Sequence, residues 1–170
     1  MDCIFCGYTN KFHENQFFYA KWDFYPVSPG HSLLIPKRHF SSFFEIEHKE
    51  WQSLDTMINE TIKEIENTNL KELYMFSCIN PDGPIADYEY LLRMSSMIGK
   101  GISPDGYNIG FNEGRSAGQT VDHFHVHIIP RYSTSDLDPT GGIRNILPHG
   151  NYKKENGKEI NSVFLRRVSR

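Results

Sequence analysis

The chain has 170 residues, of which 38% are hydrophobic and 23% are charged, so it is long enough for one substantial core and short for two. A single domain over residues 1–170 is therefore expected. No apolar stretch approaches the roughly 18 to 20 residues that cross a bilayer and no signal segment is recognised, which favours the cytoplasm over membrane or secretion. The net charge of −3 argues against general nucleic-acid binding.

The first half of the chain predicts two strands and a long helix. Residues 16–22 are rich in aromatics, and residues 31–36 form an apolar run after a Pro/Gly turn, so both segments are predicted to be strands. Apolar side chains then recur at three- and four-residue steps from Trp51 to Ile65. This spacing predicts an amphipathic helix from about residue 47 to residue 66 that covers one face of a sheet.

The segment of about residues 68–104 contains two similar turn signals, at 79–83 and 102–106. Between them, apolar spacing predicts a second helix at about residues 85–100. This segment could shape a pocket, extend a dimer contact or lengthen a surface connection, and the sequence does not choose among these roles.

A β-hairpin with a glycine-rich tip is predicted after this segment. Residues 107–112 alternate large apolar with small polar side chains, glycines follow at 114 and 118, and residues 121–129 form the last strand. With the two earlier strands this hairpin makes one antiparallel sheet, so the fold class is α+β with covering helices.

Three histidines, His123, His125 and His127, alternate with apolar residues in that last strand. Because a strand has a period of two, they are expected on one face, about 6 to 7 Å apart. One such histidine alone is usually a half-buried, satisfied imidazole. Three in register indicate either a metal site or a row of acid, base and nucleophile, and the extended spacing disfavours convergence on one ion.

Cys3 and Cys6 have the spacing of half a tetrahedral zinc site, although two free thiols at a frayed terminus would show the same pattern. Cys78 lies in an apolar stretch and is expected to behave as a buried small hydrophobe. Few cysteines, two of them at metal spacing, suit a reducing compartment better than a disulfide framework.

These blocks closely resemble the histidine-triad (HIT) family of nucleotide hydrolases and transferases. The family signature corresponds to His-Phe-His-Val-His-Ile-Ile at 123–129. Further matching blocks are 23–31, 33–39, 107–114, 117–121 and 129–132. The family pattern usually lacks another large element between the long helix and the Pro-Asp-Gly turn, so residues 68–104 are interpreted as a helical insertion in a HIT-like fold.

The resemblance implies catalytic roles for four residues. His125 is the nucleophile that attacks the phosphorus attached to a nucleoside and forms a nucleotidyl-histidine intermediate, which water then cleaves. His127 donates to phosphoryl oxygens, and His31 lies next to the nucleophile as the fourth member of a relay. Gln119 helps to position the phosphoryl group and stabilise its charge. Without the resemblance, His31 would be interpreted as a solvent-facing turn residue.

The resemblance also implies a substrate-binding set. Asp23 would bind the ribose hydroxyls, although a turn-initiating Asp before Pro26 is the competing interpretation. Asn112, the backbone near Gly118, and Thr120 supply neutral donors around the phosphates.

In zinc-containing relatives, the ligands that complete the cysteine pair match His39 and His123. The resemblance therefore implies a structural Zn²⁺ bound by Cys3, Cys6, His39 and His123, which closes the coordination sphere and activates no water. No organic cofactor is implied.

The function implied is a nucleotide hydrolase that cleaves dinucleoside polyphosphates or related nucleotidyl conjugates at the α-phosphorus and releases AMP or a similar nucleotide. A homodimer is also implied. The alternatives are a phosphorolytic or nucleotidyl-transfer enzyme that uses the same histidine, and a nucleotide-binding regulatory protein with low turnover. Repair of adenylated DNA ends is disfavoured because the expected zinc-finger module is not recognised.

The C-terminal region resembles polyphosphate-cleaving members of the family at residues 139–148. Arg144, Arg131 or Lys37 could contact distal phosphates, or each could be a solvated surface charge. Residues 150–170 form a basic tail, for which a mobile terminus is the simplest interpretation.

Overall fold

A computed structural model describes residues 3–77, 92, 96, 103–133 and 139–146. The chain divides into two compact units, Met1–Ser135 and Asp136–Arg170. The prediction of one domain over the whole chain stays a prediction. Cys78 and the basic tail lie outside the described residues, and of the predicted helix at 85–100 only Leu92 and Ser96 are described, both helical.

The described residues of the first unit form an antiparallel sheet of five strands in the order β1-β2-β3-β5-β4. The strands are β1 (His13–Glu14), β2 (Phe18–Trp22), β3 (Ser32–Pro36), β4 (Gly106–Gly110) and β5 (Val126–Arg131). With the helices described below, this sheet confirms the predicted α+β class.

Two α-helices are described, α1 (His48–Asn67) and α2 (Leu70–Ser77). The prediction of α1 is confirmed to within one residue at each end. The helix begins after Glu47, whose N–H donates to Glu50 Oε2 at 2.8 Å in a capping box, so one of the orphan N–H groups of the helix start is satisfied. The sequence did not predict α2, which lies at the start of the proposed insertion. Short 3-10 turns lie at Phe43–Glu45 and Arg115–Ala117, and the described part of the second unit contains a third at Gly142–Ile146.

The two faces of the sheet have different partners because side chains alternate along each strand. One face packs against α1, where Leu34, Val126 and Ile128 join Met57 and Ile65 of the helix in the main core. On the opposite face, a smaller apolar cluster contains Phe5, Tyr19, Leu33 and Ile35. His127 lies between Val126 and Ile128 and therefore belongs to this second face.

The last strand is shorter than predicted. It begins at Val126, so the prediction that it includes His123 and His125 is wrong. Before this strand, the Phe124 N–H donates to the Phe40 carbonyl at 2.7 Å in a loop contact, and His123 Nε2 lies 2.9 Å from the Pro36 carbonyl. These contacts connect residues 123 and 124 to the end of β3 and to the segment that follows it. None of the helices in the described part of the chain combines the length and hydropathy that a membrane-spanning segment needs.

Candidate active site

A cavity of about 320 Å³ opens on the face of the sheet opposite α1, and this volume is within the range of small-molecule sites. The N-terminal segment, β2 with the turn after it, the glycine-rich loop and the start of β5 form its walls. The lining includes these predicted catalytic and substrate-binding residues: Asp23, His31, Asn112, Gly118, Thr120, His125 and His127. The sequence-predicted residues therefore converge, with the exception of Gln119.

His125 is held in one tautomer by the backbone. Its Nδ1 lies 2.8 Å from the carbonyl oxygen of His123. Since a carbonyl only accepts, Nδ1 carries the proton and Nε2 keeps its lone pair. The ring is buried, with its centroid 5.1 Å from that of His127. The arrangement has the form expected of a neutral imidazole nucleophile.

A second chain of hydrogen bonds assigns the protons of His31 and His127. The Val27 N–H donates to His31 Nδ1 at 3.3 Å, so a neutral His31 carries its proton on Nε2. That atom lies 3.0 Å from His127 Nδ1 and donates to it. A neutral His127 then carries its own proton on Nε2, where it can serve as a donor.

Burial keeps both relay histidines neutral. Desolvation lowers the pKa of His127 to about 4, with smaller contributions from His31 and His125 and with Asp23 acting in the opposite direction. Desolvation also lowers the pKa of His31, again opposed by Asp23. At neutral pH the imidazoles of His31 and His127 are therefore uncharged.

Asp23 is fixed at the wall of the cavity. Its Oδ1 accepts from the Tyr25 N–H at 2.9 Å, and its Oδ2 lies 3.4 Å from His31 Nε2 and 3.9 Å from His127 Nδ1. The ligating atoms of Asp23, His31 and His127 all lie within 4.8 Å of one another. The histidine relay already uses two of these atoms, so its hydrogen bonds account for the cluster.

The glycine-rich loop is held by Gln119. Its Oε1 accepts from the Gly114 N–H at 2.8 Å, and its Nε2 donates to the carbonyls of Ser41 at 2.7 Å and Val121 at 3.3 Å. Gln119 is not among the described residues that line the cavity. Its described contacts fix the loop, and its predicted catalytic role stays a prediction.

Gly118 needs the freedom of glycine because it adopts a φ of +92° at the end of the 3-10 turn. Its carbonyl accepts from Asn112 Nδ2 at 3.4 Å. This contact and the Gln119 hydrogen bonds give the loop a defined conformation next to His125.

Cys3, Cys6, His39 and His123 form a separate cluster whose ligating atoms all lie within 4.8 Å of one another. His123 Nδ1 lies 3.3 Å from Cys3 Sγ, 3.7 Å from Cys6 Sγ and 3.3 Å from His39 Nδ1, and His39 Nδ1 is 3.3 Å from Cys6 Sγ. A tetrahedral ion with ordinary Zn–S and Zn–N bonds separates its ligand atoms by about 3.4 to 3.8 Å. The donor set therefore fits zinc in both chemistry and spacing.

The tautomer of His123 also suits a metal ligand. Its Nε2 donates to the Pro36 carbonyl at 2.9 Å, which leaves the Nδ1 lone pair directed at the cysteines and His39. Burial lowers the pKa of His123 and so favours the unprotonated nitrogen. A carbonyl acceptor behind a ligating imidazole is the usual support for a metal-bound histidine.

Two residues that contribute to the site, Lys21 and Tyr74, belong to no recognisable sequence motif and were not predicted. Lys21 lines the cavity although it lies in the middle of a buried strand; the only signal was a lone charge in Phe-Tyr-Ala-Lys-Trp. The hydroxyl of Tyr74 on α2 accepts from the Gly30 N–H at 2.9 Å, which links α2 to the turn before His31.

Two of the cations proposed for distal phosphates have other partners. Lys37 forms an ion pair with Glu14, and Arg131 donates to Asn108. Arg144 is exposed in the second unit. Of the described residues that line the cavity, none is an arginine.

Comparison with known proteins identifies the family of this fold. Residues 7–134 match the family described as "HIT domain". The chain is 30% identical over 138 residues to an uncharacterized HIT-like protein of Mycoplasma genitalium, with 78% of this chain and 74% of the relative covered. It is 29% identical to an adenosine 5'-monophosphoramidase of Schizosaccharomyces pombe, with 77% and 75% covered. A crystal structure of a HIT family member from Bacillus subtilis superposes with a TM-score of 0.53 at 27% identity, with 78% and 75% covered.

The match to the HIT domain covers most of the chain, and the chain therefore belongs to the HIT family.

Proposed function

We propose that the protein is a nucleotide hydrolase that cleaves dinucleoside polyphosphates or related nucleotidyl conjugates at the α-phosphorus. The observation that carries the proposal is the tautomer of His125, whose Nδ1 proton is held by the His123 carbonyl, inside a cavity that also contains the His31–His127 relay. Nucleophile and donor then lie side by side, as phosphoryl transfer requires.

The reaction has two displacements. His125 Nε2 attacks the α-phosphorus and forms an N–P bond, while the bond from phosphorus to the leaving group breaks and the leaving group keeps that electron pair. Water then attacks the same phosphorus, the N–P bond breaks, and a nucleoside monophosphate is released. The electron pair of the broken N–P bond returns to His125 Nε2 and the attacking water releases a proton to solvent, whereas an amine leaving group takes up a proton from solvent. His127 Nε2–H donates to the phosphoryl oxygens as their charge develops.

The substrate class rests on the site and on one relative. Asp23 lies beside the relay, where its carboxylate can accept from ribose hydroxyls. The related protein of S. pombe carries the name adenosine 5'-monophosphoramidase, so nucleoside phosphoramidates belong with dinucleoside polyphosphates among the substrates to be tested.

We infer in addition that Cys3, Cys6, His39 and His123 bind a structural zinc ion. Four protein ligands leave no open position for water, so such an ion would act on stability. His123 couples this ion to catalysis, because its carbonyl accepts the Nδ1 proton of His125. The homodimer and the cytoplasmic location stay predictions.

Product analysis in oxygen-labelled water tests the proposed activity. Diadenosine polyphosphates and adenosine phosphoramidate would be incubated with and without phosphate, using the wild type, His125→Ala and the control His48→Ala, which changes an exposed histidine. Labelled nucleoside monophosphate from the wild type and the control, with a loss of about three orders of magnitude or more in His125→Ala, would support hydrolysis. Phosphate incorporation in place of water would identify a phosphorolytic enzyme, and binding without turnover would identify a regulatory protein.

A further inference from the structure

Lys21 is a buried cation on the wall of the cavity. Its side chain is 1% exposed, and within the described residues no hydrogen bond or ion pair of its ammonium group is found. Nζ lies 3.5 Å from the centroid of the Phe24 ring and 4.7 Å from that of Tyr8. Cation–π contacts stabilise a charge only in part, and a buried charge without an acceptor is costly. A ligand in the cavity could supply the missing acceptor.

The sheet register places Lys21 relative to the reacting centre. Lys21 is paired with Leu33 on β3, and Leu33 is paired with His127 on β5. Directly opposed residues share a face, so Lys21 lies on the same face as His127, two strand spacings away, or about 10 Å between backbones. Asp23 follows two residues after Lys21 and lies within 4 Å of His127.

This order of groups sets the orientation of a nucleotide. This step rests on the proposed function: a nucleotide with its α-phosphorus at His125 and its ribose at Asp23 extends its base in the direction of β2. The base then lies among Lys21, Phe24 and Leu33, which all line the cavity. The Phe24 ring beside Nζ and the Leu33 side chain supply apolar surface for a flat heterocycle.

We propose that Lys21 selects the nucleobase and favours 6-oxopurines, guanine or hypoxanthine, over adenine. An ammonium group has three donors and no acceptor. Guanine and hypoxanthine present two adjacent acceptors, O6 and N7, and lysine is well suited to bind that pair. Adenine presents an amino group in place of O6, so its donor would face the donors of Lys21. Burial lowers the pKa of Lys21 to about 8, with Asp23 opposing the shift, and the group is still mainly protonated at neutral pH.

Calorimetric titration with nucleotides tests this assignment without requiring turnover. GMP, AMP and 2-aminopurine riboside monophosphate, which lacks O6, would be titrated into the wild type, Lys21→Met and the control Lys63→Met. Methionine keeps an unbranched chain of similar length and removes the donors, and Lys63 is an exposed lysine of α1. The expected result is a preference of about tenfold or more for GMP over both other nucleotides, retained in Lys63→Met and lost in Lys21→Met.

Wild-type affinity for AMP equal to or greater than that for GMP would overturn the assignment, and so would an unchanged preference in a folded Lys21→Met variant. Should Lys21→Met fail to fold, the wild-type comparison of GMP with the nucleotide that lacks O6 still decides. Turnover of guanosine and adenosine phosphoramidates, measured in parallel, separates the two proposals. Preferential binding of GMP without turnover of either phosphoramidate would contradict the proposed hydrolase activity alone. Equal binding of GMP and AMP with equal turnover of the two phosphoramidates would contradict the proposed role of Lys21 alone.

Discussion

His31 Nε2 and His127 Nδ1 lie 3.0 Å apart although 96 positions separate the two residues in the chain. The antiparallel pairing of β3 with β5, in which Leu33 opposes His127, brings His31 to this position immediately before β3. The Val27 N–H donates to His31 Nδ1, so the proton of His31 lies on Nε2 and is donated to His127 Nδ1. The proton of His127 therefore lies on Nε2.

The relay predicts that acid destabilises the fold through His127. The pKa of His127 is about 4 in the folded protein and about 6.5 in an unfolded chain. Between these pH values the unfolded chain binds a proton at His127 that the folded chain does not. The contribution of neutral His127 to the free energy of unfolding is therefore complete above pH 6.5 and decreases as the pH falls toward 4. The loss at pH 4 is about 3 kcal/mol at most.

Urea denaturation at several pH values between 7 and 4, on the wild type and His127→Gln, measures this contribution. Other groups titrate in the same range, and the difference between the two proteins isolates His127. The free energy of unfolding of the variant should depend less steeply on pH. Equal pH dependence in both proteins would show that His127 is not responsible.

Features that depend on a local sequence pattern could be predicted from the sequence. The alternation of histidines with apolar residues correctly places His127 on the face opposite the helix, and α1 follows from its apolar spacing. The histidine pattern also predicted too long a strand, because the loop contact from Phe124 to Phe40 comes from residues far apart in the chain.

Other features depend on tertiary contacts that no local pattern reveals. Lys21 looks like an exposed position of a strand, but the N-terminal segment and the Phe24 turn cover it in the fold. Tyr74 binds the Gly30 N–H across 44 positions. Gln119 was predicted to help position the phosphoryl group, which stays a prediction, and its amide hydrogen-bonds to three backbone groups.

The cysteine–histidine cluster predicts that zinc stabilises the fold. Cys6→Ser should lose the ion, because one of four ligands is removed and serine is a poor substitute for thiolate. We expect a decrease of about 3 kcal/mol or more in the free energy of unfolding, or roughly 6 to 12 °C in Tm. Mass spectrometric metal analysis and thermal denaturation, with His48→Ala as the control, check both effects. Wild-type protein purified without chelator and found free of zinc would refute the proposed ion.

The ion pair between Arg38 and Glu50 is expected to stabilise the fold. Arg38 directly precedes His39, one of the proposed zinc ligands. Arg38 Nε and Nη2 donate to Glu50 Oε1 and Oε2 at 2.9 and 2.8 Å, and Glu50 is 3% exposed. Glu50→Gln keeps the shape but removes the charge and one acceptor, so a loss of about 1 to 3 kcal/mol is expected, toward the lower end because the Arg38 side chain is partly solvated.

The pH dependence of this loss follows from the carboxyl group. The hydrogen bond from Arg38 lowers the pKa of Glu50, so its contribution is present above the unfolded pKa of about 4.3 and disappears as the pH falls through the lower folded pKa. Denaturation curves of wild type and Glu50→Gln should therefore differ at pH 7 and converge in strong acid. Glu64→Gln, at an exposed position of α1, is the control and should leave the free energy of unfolding unchanged at pH 7.

The substitution Gly30→Ala, which adds one methyl group, is expected to lower both stability and activity. Its φ is +84°, and an added Cβ would lie 2.9 Å from Ile65 Cγ2 and 3.2 Å from Pro130 Cγ. The left-handed backbone and the close contacts each penalise alanine, and together they should cost about 2 to 4 kcal/mol. Gly106→Ala is the matched control, because a Cβ there meets nothing within 4 Å.

Activity of Gly30→Ala at a temperature where the variant remains folded separates two consequences of that strain. Gly30 donates to Tyr74 and directly precedes His31, so relief of the clash with Ile65 moves the residue that orients His127. We therefore expect kcat to fall in the folded variant, while Gly106→Ala keeps wild-type kcat. A folded Gly30→Ala variant with full activity would show that the relay tolerates displacement of His31, and that the glycine serves packing against α1 alone.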